Sequence, residues 1–321
     1  MSVELVLGTL GLSLAASFGT NSWLMRLALR RGWCDPVGDP LKIHERPVPL
    51  VGGLGVMTAV CLGVAAAVLG SRMSPGTGIS VTGFGGAFVV CGAIGLAIGL
   101  WDDFRWKRIA VPVSKLALQV AGAGAAAFAL WLAGARPLSP ALAFALPVSA
   151  AIVLGAMNAL NLTDGMDGLA AGVALVSALG FALAGALVAS PVVVAPALAL
   201  AGALAGFLLL NWHPARLFLG DGGSHLVGAL LAALAIAVAG TAGLSALAAA
   251  ALVIGLPVFD TAWTILRRLA TGRRVMGGDR NHIYDLLHRR GLSIRRTVLV
   301  CLGLQALSVA LGVALLAAVR R

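Results

Sequence analysis

The chain has 321 residues, of which 60% are hydrophobic and 11% are charged, and its mean hydropathy is +1.00. A soluble domain carries about 25% charged residues, so this composition excludes a water-soluble globule, and it also excludes disorder, which requires low hydrophobicity. The net charge of +11 would suggest nucleic acid as a partner of a soluble protein. In a membrane protein, basic residues instead collect on the cytoplasmic side, so we expect a bilayer-embedded protein that binds no nucleic acid.

Ten apolar stretches bounded by glycine, proline or charge predict transmembrane helices, since all but the short eighth one are near the length that crosses ~30 Å of hydrocarbon. Strand-like alternation is absent. We therefore expect an all-α polytopic membrane protein with about ten transmembrane helices in a single integral membrane domain, residues 1–321. No basic residue precedes the first stretch, which favours a retained span over a cleaved signal peptide. The predicted spans are Val3–Leu29, Leu50–Leu69, Phe84–Trp101, Val113–Ala133, Pro140–Met157, Leu169–Val188, Val192–Leu210, His225–Ala239, Leu244–Leu266 and Val298–Val319.

The charged residues lie mainly on one set of alternate loops. These loops and their membrane edges hold all but four of the basic residues, every histidine and every acidic residue except Glu4. The positive-inside rule predicts that these loops are cytoplasmic and that both termini lie outside. That rule barely concerns acids, so the gathering of carboxylates and histidines marks this face as the functional one. The loops are Arg26–Arg46, Asp102–Lys115, Asn158–Gly168, Asn211–Ser224 and Arg267–Arg296.

Two adjacent carboxylates, Asp102 and Asp103, close the third predicted span. They repel each other unless a cation or a proton is shared, which indicates metal binding or proton abstraction from a substrate. The alternative is interfacial charge balanced by the basic residues that follow.

The fifth and sixth spans are joined by a segment that contains Asn158, Asn161, Asp164 and Asp167 among glycines. Amide and carboxylate oxygens suit a hard cation such as Mg²⁺ or the polar edges of a nucleotide, and glycine permits close approach of the backbone to a ligand. A helix N-cap at Asp164 or Asp167 is the alternative, but it explains one of these residues rather than four.

The run Gly220-Asp221-Gly222-Gly223-Ser224 opens the eighth predicted span. A glycine-rich turn before a helix offers N–H groups and a positive dipole to anions, whereas Asp221 would repel phosphate unless a metal lay between them. The combination predicts a metal–phosphate site, with an N-cap at Asp221 or Ser224 as the alternative.

An arginine-rich loop after the ninth span contains His282, and an imidazole among arginines suits a pyrophosphate contact. Positive-inside charge and attraction to anionic lipid explain most of these arginines equally well. Lys42, His44 and Lys115 lie at span entries on the same face, where they could contact phosphate or snorkel. Asp260 lies within the ninth apolar stretch, where a carboxylate requires a partner or a functional role.

The order of these motifs resembles the polyprenyl-phosphate N-acetylhexosamine-1-phosphate transferase superfamily of integral membrane enzymes. The PVPLVGG ending of the segment from Lys42 to Gly53 looks like the branch that acts on undecaprenyl phosphate and UDP-N-acetylglucosamine (UDP-GlcNAc). The contiguous His-His-His cluster usual in phospho-N-acetylmuramoyl-pentapeptide transferases is absent. The family's HIHH-like motif here reads His282-Ile283-Tyr284-Asp285, so only its first histidine is kept.

The resemblance implies an enzyme of the bacterial inner membrane that transfers GlcNAc-1-phosphate from a UDP-sugar to polyprenyl phosphate, releases UMP and initiates a cell-envelope glycan such as lipopolysaccharide or teichoic acid. It implies Mg²⁺, with Mn²⁺ as the substitute, and it leaves a homodimer open. Asp221 and Asn161 would hold the metal, and Asp102 or Asp103 would orient or deprotonate the lipid phosphate. Asp164 and Asp167 would hold the nucleotide. His282 and Arg280 would contact the pyrophosphate. Lys42, His44, Lys115 and Asn158 complete the expected substrate-binding residues.

Three alternatives to this function remain at the level of sequence. The first is the phospho-N-acetylmuramoyl-pentapeptide transferase reaction. The second is secondary transport, which would place polar residues near the bilayer midplane within broken helices of a repeated fold. The third is a lipid-binding scaffold, which needs a basic face but not acids in glycine-rich turns.

Overall fold

The computed structural model describes residues 2–35, 46–72, 81–104, 112–137, 141–273 and 280–319. These residues form helices and one two-stranded antiparallel sheet, in which Cys34 pairs with Pro49 and Asp35 with Val48. The elements in chain order are α1 (Val3–Arg31), β1 (Cys34–Asp35), β2 (Val48–Pro49), α2 (Gly52–Arg72), α3 (Val81–Phe104), α4 (Pro112–Leu132), α5 (Leu142–Thr163), α6 (Leu169–Leu187), α7 (Pro191–Asn211), α8 (Gly220–Val253), α9 (Gly255–Ala270), α10 (Ile283–Arg289) and α11 (Ile294–Val319).

The described residues contain 9 helices that are long and apolar enough to cross a membrane, or 10 if a bent pair counts as one more span. This agrees with the all-α architecture and the number of spans expected from sequence. The span within α8 has 94% of its most apolar window buried, against 17% for α1 and 22% for α11. The helix that carries Asp221 is therefore the centre of the bundle, and the first and last helices are peripheral.

The predicted spans His225–Ala239 and Leu244–Leu266 are wrong in their bounds. The eighth span runs from Gly220 to Thr241, and the helix continues after Gly243, where φ is +67°, as far as Val253. There it meets α9 at an angle of 89°. The ninth apolar stretch therefore consists of the last part of α8, Gly243–Val253, and of α9, which meet at a sharp bend.

Pro257 breaks the helix here, because it has no N–H to donate to the carbonyl of Val253 and its ring would clash with that carbonyl in a continuous helix. Gln305 of α11 then satisfies the backbone groups that the break frees. Its side-chain amide donates to the backbone oxygen of Val253 at 2.7 Å and its carbonyl accepts from the backbone nitrogen of Leu256 at 2.9 Å. These are backbone groups that a helix break leaves without intrahelical partners, and in an apolar interior such groups must be satisfied. A hydropathy window does not detect the break, because it averages over Gly255 and Pro257, and the residue that satisfies the freed groups lies about 50 positions away in the chain.

Glycines on α3 bring its end against the start of α8. Gly95 and Gly99 face α8, and a Cβ atom at Gly99 would collide with the backbone of Asp221. Small residues at a crossing allow helix backbones to approach closely in a membrane. The consequence is that the Asp102-Asp103 pair at the end of α3 lies next to the first turn of α8.

Candidate functional site

A cavity of about 1050 Å³ opens at one end of the bundle, where α1, α3, α5 and α7 end and where α8 and α11 begin. Strand β2 and the segment before α8 complete its wall. Carboxylates and arginines both line this space, a combination that suits a phosphate-rich ligand bound together with a cation. The charged lining residues are Asp35, Arg46, Asp103, Asp164, Asp167, Arg216 and Asp221.

Asp221 lies in the first turn of α8, on the cavity wall. Its carboxylate accepts a hydrogen bond of 2.8 Å from the side-chain amide of Asn161, which also donates to the Ser224 hydroxyl at 3.0 Å. Sequence reasoning placed Asp221 and Asn161 in two separate motifs, and the structure brings them together. Because the Asn161 nitrogen is the donor here, its Oδ1 would be the atom that binds a cation.

The two carboxylates at the end of α3 take different partners. Asp103 accepts hydrogen bonds from the backbone nitrogens of Asp221 at 3.2 Å and Gly222 at 3.0 Å, so it caps the start of α8. Asp102 is buried and forms an ion pair with Lys115 of α4. The expected repulsion between the two is therefore offset by separate donors. The N-cap position of α8 is Leu219 rather than Asp221 or Ser224, and Asp103 provides the capping hydrogen bonds from α3.

Asp164 follows the last residue of α5 and lines the cavity. Burial and the charges of three other carboxylates raise the pKa of Asp164 to about 8; the three are Asp221, Asp103 and Asp167. A bound cation would relieve this concentration of negative charge, which is an electrostatic reason to expect one here.

Asp167 is tied to the segment that precedes α8. Its Oδ2 lies 2.8 Å from Nδ1 of His213 and accepts from the backbone nitrogen of Ala215 at 3.0 Å. Neither Asp164 nor Asp167 caps α6, because the N-cap is Gly168, whose backbone nitrogen donates to the buried side chain of Asn211 at 3.0 Å. The capped-loop alternative for this motif is therefore wrong.

A buried polar network lies behind Asp221. His225 is fully buried, with Nδ1 2.7 Å from the backbone oxygen of Asp221 and Nε2 2.9 Å from the Gln119 amide. Gln119 also accepts a hydrogen bond of 3.2 Å from Asn158. Asn158, which the sequence predicts to bind substrate, thus helps to connect α5, α4 and α8. Gln119 lies in an apolar stretch and gave no recognisable sequence signal.

His282 is 3% exposed, and it is not among the described residues that line the large cavity. Its Nδ1 lies 2.5 Å from Oδ2 of Asp260, which is the partner that a buried carboxylate in α9 requires. The His282 ring stacks on Tyr284, with ring centroids 5.5 Å apart. The expected contact of His282 and the adjacent Arg280 with pyrophosphate stays a prediction.

Some expected residues lie outside the described part of the chain. Lys42 and His44 fall in the segment 36–45, and the basic residues just after Asp103 fall in the segment 105–111. Conversely, the cavity includes Asp35, which sequence reasoning missed because it is a single charge next to a proline. Arg46 also lines the cavity, and it belongs to the basic segment that begins at Lys42.

The cavity can be tested for its fit to Mg²⁺. Among the described residues, no group of three or more His, Cys, Asp or Glu side chains is arranged to hold a metal ion. Mg²⁺, however, usually takes one or two protein carboxylates and completes its shell with water and substrate phosphates. Asp221 on the cavity wall, with Asn161 beside it, fits that open mode of binding. A closed cage made only of protein ligands does not fit.

The chain is similar to proteins of one enzyme class. Residues 85–239 match the sequence profile of glycosyl transferase family 4. A decaprenyl-phosphate N-acetylglucosaminephosphotransferase of Mycolicibacterium smegmatis is 33% identical over 92% of this chain and 78% of its own length. A protein of Bacillus subtilis described as a probable undecaprenyl-phosphate N-acetylglucosaminyl 1-phosphate transferase is 29% identical over 86% of this chain and 75% of its own length. A phospho-N-acetylmuramoyl-pentapeptide-transferase of Synechococcus is 36% identical over 83% of this chain and 76% of its own length.

Proposed function

Because this chain belongs to the polyprenyl-phosphate N-acetylhexosamine-1-phosphate transferases of glycosyl transferase family 4, and so is an enzyme of this kind, we propose that its reaction joins UDP-GlcNAc to polyprenyl phosphate. The products are UMP and polyprenyl diphosphate-GlcNAc. The single observation that carries the proposal is the carboxylate- and arginine-lined cavity at the end of the bundle, where α3, α5 and α8 meet.

The reaction is a phosphoryl transfer that depends on positioning and charge neutralisation. An oxygen of the lipid phosphate attacks the sugar-bearing phosphorus of UDP-GlcNAc. The bond from that phosphorus to the bridging oxygen breaks, and UMP leaves with the bridging oxygen. When bound, Mg²⁺ offsets the repulsion between the two phosphate groups and the charge that develops on the leaving group.

The residues of this chain divide the work. Asp221 and Asn161 would hold Mg²⁺, and Asp164 would hold the metal-bound donor. Arg46 and Arg216, on the cavity wall, would bind phosphate oxygens. We assign the Asp102–Lys115 pair to the lipid phosphate, with Lys115 attracting it and Asp102 accepting its proton if it arrives protonated.

The position of the cavity also supports this function. Its charged residues lie at helix ends and in connecting segments, so the site would open where a lipid substrate and a water-soluble substrate meet. A secondary transporter would place these groups near the bilayer midplane. We propose that this end faces the cytoplasm of a bacterial inner membrane, since the loops that it carries are the arginine-rich ones.

The pentapeptide transferase reaction is a second candidate, because the Synechococcus relative shares 36% of its aligned residues with this chain. The two reactions differ only in the sugar portion of the donor. Assays with both UDP-GlcNAc and UDP-MurNAc-pentapeptide therefore separate them.

The direct test is exchange of labelled UMP into UDP-GlcNAc by the purified protein with polyprenyl phosphate and Mg²⁺. We expect exchange that requires the lipid and the metal, and exchange into UDP-GlcNAc rather than UDP-MurNAc-pentapeptide. If Asp221→Ala and Asp102→Asn both leave the exchange intact, the assignment of this cavity as the catalytic site is wrong.

A further inference from the structure

Tyr284 contacts the turn that carries Asp164 from outside the cavity. Its side chain is buried at 8% exposure, and its hydroxyl donates to the backbone oxygen of Leu162 at 3.2 Å. The same ring packs against Gly165, where a Cβ atom would collide with the Tyr284 hydroxyl. Tyr284 therefore touches the chain on both sides of Asp164.

The turn at Asp164 requires external support. Asp164 ends α5 with non-helical dihedral angles of φ −82° and ψ 44°, and the last carbonyl groups of a helix have no partner within it. The Leu162 carbonyl is one of these groups, and the Tyr284 hydroxyl satisfies it. The direction in which Asp164 leaves the helix thus depends on a residue of α10.

Tyr284 is in turn fixed by its neighbours. The His282 ring stacks on it with an interplanar angle of 4°, and the His282 Nδ1 lies 2.5 Å from Oδ2 of Asp260. The other oxygen of Asp260 accepts from the backbone nitrogen of Ile283 at 2.8 Å. Contacts therefore run without interruption from α9 through α10 to the end of α5.

We propose that Tyr284 is a positioning residue, which aims the Asp164 carboxylate into the cavity by holding Leu162 and Gly165. The inference rests on the proposed function, since it assumes that Asp164 acts on the bound donor. It gives a role to a position at which this chain departs from the histidine pattern of the superfamily that it resembles. A histidine lacks the para hydroxyl and its ring is shorter, so it would not make the same contact with Leu162.

The first test compares steady-state kinetics of Tyr284→Phe with those of Ser308→Ala. Both variants lose a hydroxyl that donates to a backbone oxygen, and Ser308 does so to Leu252, away from the cavity. We expect kcat of Tyr284→Phe to fall about three- to tenfold, as the loss of one hydrogen bond implies, with an unchanged KM for polyprenyl phosphate. Ser308→Ala should lose about as much thermal stability as Tyr284→Phe does, but it should keep the wild-type kcat. Equal effects on kcat in both variants would overturn the proposal.

The second test needs no activity, because Tyr284 is the only tyrosine in the chain. The full-length protein labelled with 3-fluorotyrosine gives one ¹⁹F resonance, and we expect it to shift when Asp164 is replaced in Asp164→Asn. Asp285→Asn controls for a general change of charge near the ring. The proposal is contradicted if the ¹⁹F chemical shift is unchanged in Asp164→Asn but changes in Asp285→Asn. If the wild type exchanges UMP into no donor, the proposed function fails, while the ¹⁹F result still decides whether Tyr284 senses Asp164.

Discussion

Two regions of this protein bury polar side chains, and they do so for different reasons. Along α1, Thr9, Ser13, Ser17 and Asn21 recur every fourth residue at 0–1% exposure. The hydroxyl groups of Thr9 and Ser13 have no hydrogen-bond partner in the part of the chain that the structure describes. The bond in this row, from Asn21 to Ser17 at 3.2 Å, stays within α1. At the cavity end, by contrast, the bond from Asn161 to Asp221 joins two helices, α5 and α8.

The α1 row makes room for close packing. Gly202 and Gly206 of α7 lie against the α1 backbone, where a Cβ atom would collide with the carbonyl oxygens of Leu10 and Leu14. Small side chains at such a crossing increase van der Waals contact between helices. The glycines of α3 do the same against α8, but there the packing brings charged groups to a cavity. Burial of polar residues alone does not mark a site, whereas convergence of charges on a cavity does.

The largest expected effect is the loss of activity in Asp221→Asn. The change keeps the shape of the side chain but removes the charge that would bind Mg²⁺, and we expect kcat to fall about 1000-fold or more, several kcal/mol of transition-state stabilisation. Thermal stability without metal should change much less than activity, because asparagine keeps an oxygen that can accept the hydrogen bond from Asn161. UMP exchange and thermal unfolding of the same preparation check both points. If Asp221→Asn keeps its activity, the polar residues at the cavity end have no catalytic role that distinguishes them from those of α1.

A smaller loss is expected for Lys115→Met. The change leaves the buried Asp102 carboxylate without its cationic partner, which is costly even though Lys115 itself is partly exposed. We expect about a 10- to 100-fold fall in kcat/KM for polyprenyl phosphate. The double variant Asp102→Asn, Lys115→Met should be no worse than the poorer of the two single variants. Additive losses would contradict a functional pair.

The pH dependence of stability offers a test that involves only the cavity region. The pKa of Asp164 is raised to about 8, so its protonated form is favoured in the folded state. In the metal-free protein, the stability that the protonated form of Asp164 contributes is fully present below the pKa of an unfolded aspartate. That stability is lost as the pH rises to about 8. We expect the melting temperature of the metal-free protein to fall over this range, and Asp164→Asn to remove that part of the slope. A slope identical in both proteins would contradict the crowding of charge around Asp164.

Substitutions in the α1–α7 contact should change stability but not catalysis. Gly202→Ala forces a Cβ atom against the Leu10 backbone, and overpacking of this kind costs about 1–3 kcal/mol. Ser13→Ala removes a hydroxyl that bonds to none of the described residues, and it should change stability by no more than about 0.5 kcal/mol. In both variants the folded fraction should keep the wild-type kcat. A specific fall in kcat would connect this contact to the site.

Much of this architecture is predictable from local sequence. Apolar length located the spans and the acidic motifs located the cavity, because both signals lie within short segments. The bend at Ile254 was missed because apolar length was read without the local break signal of Gly255 and Pro257. The partners of Asp102 and Asp260 have no local signal, since Lys115 and His282 reach them only after the helices pack.

The most direct test of the account is the exchange of labelled UMP into UDP-GlcNAc by wild-type protein and by Asp221→Asn, with Gly202→Ala as the packing control. We expect Mg²⁺- and lipid-dependent exchange by the wild type and by the folded fraction of Gly202→Ala, and about 1000-fold less by Asp221→Asn. Exchange by a folded Asp221→Asn at the wild-type rate would show that the chemistry takes place elsewhere in the molecule.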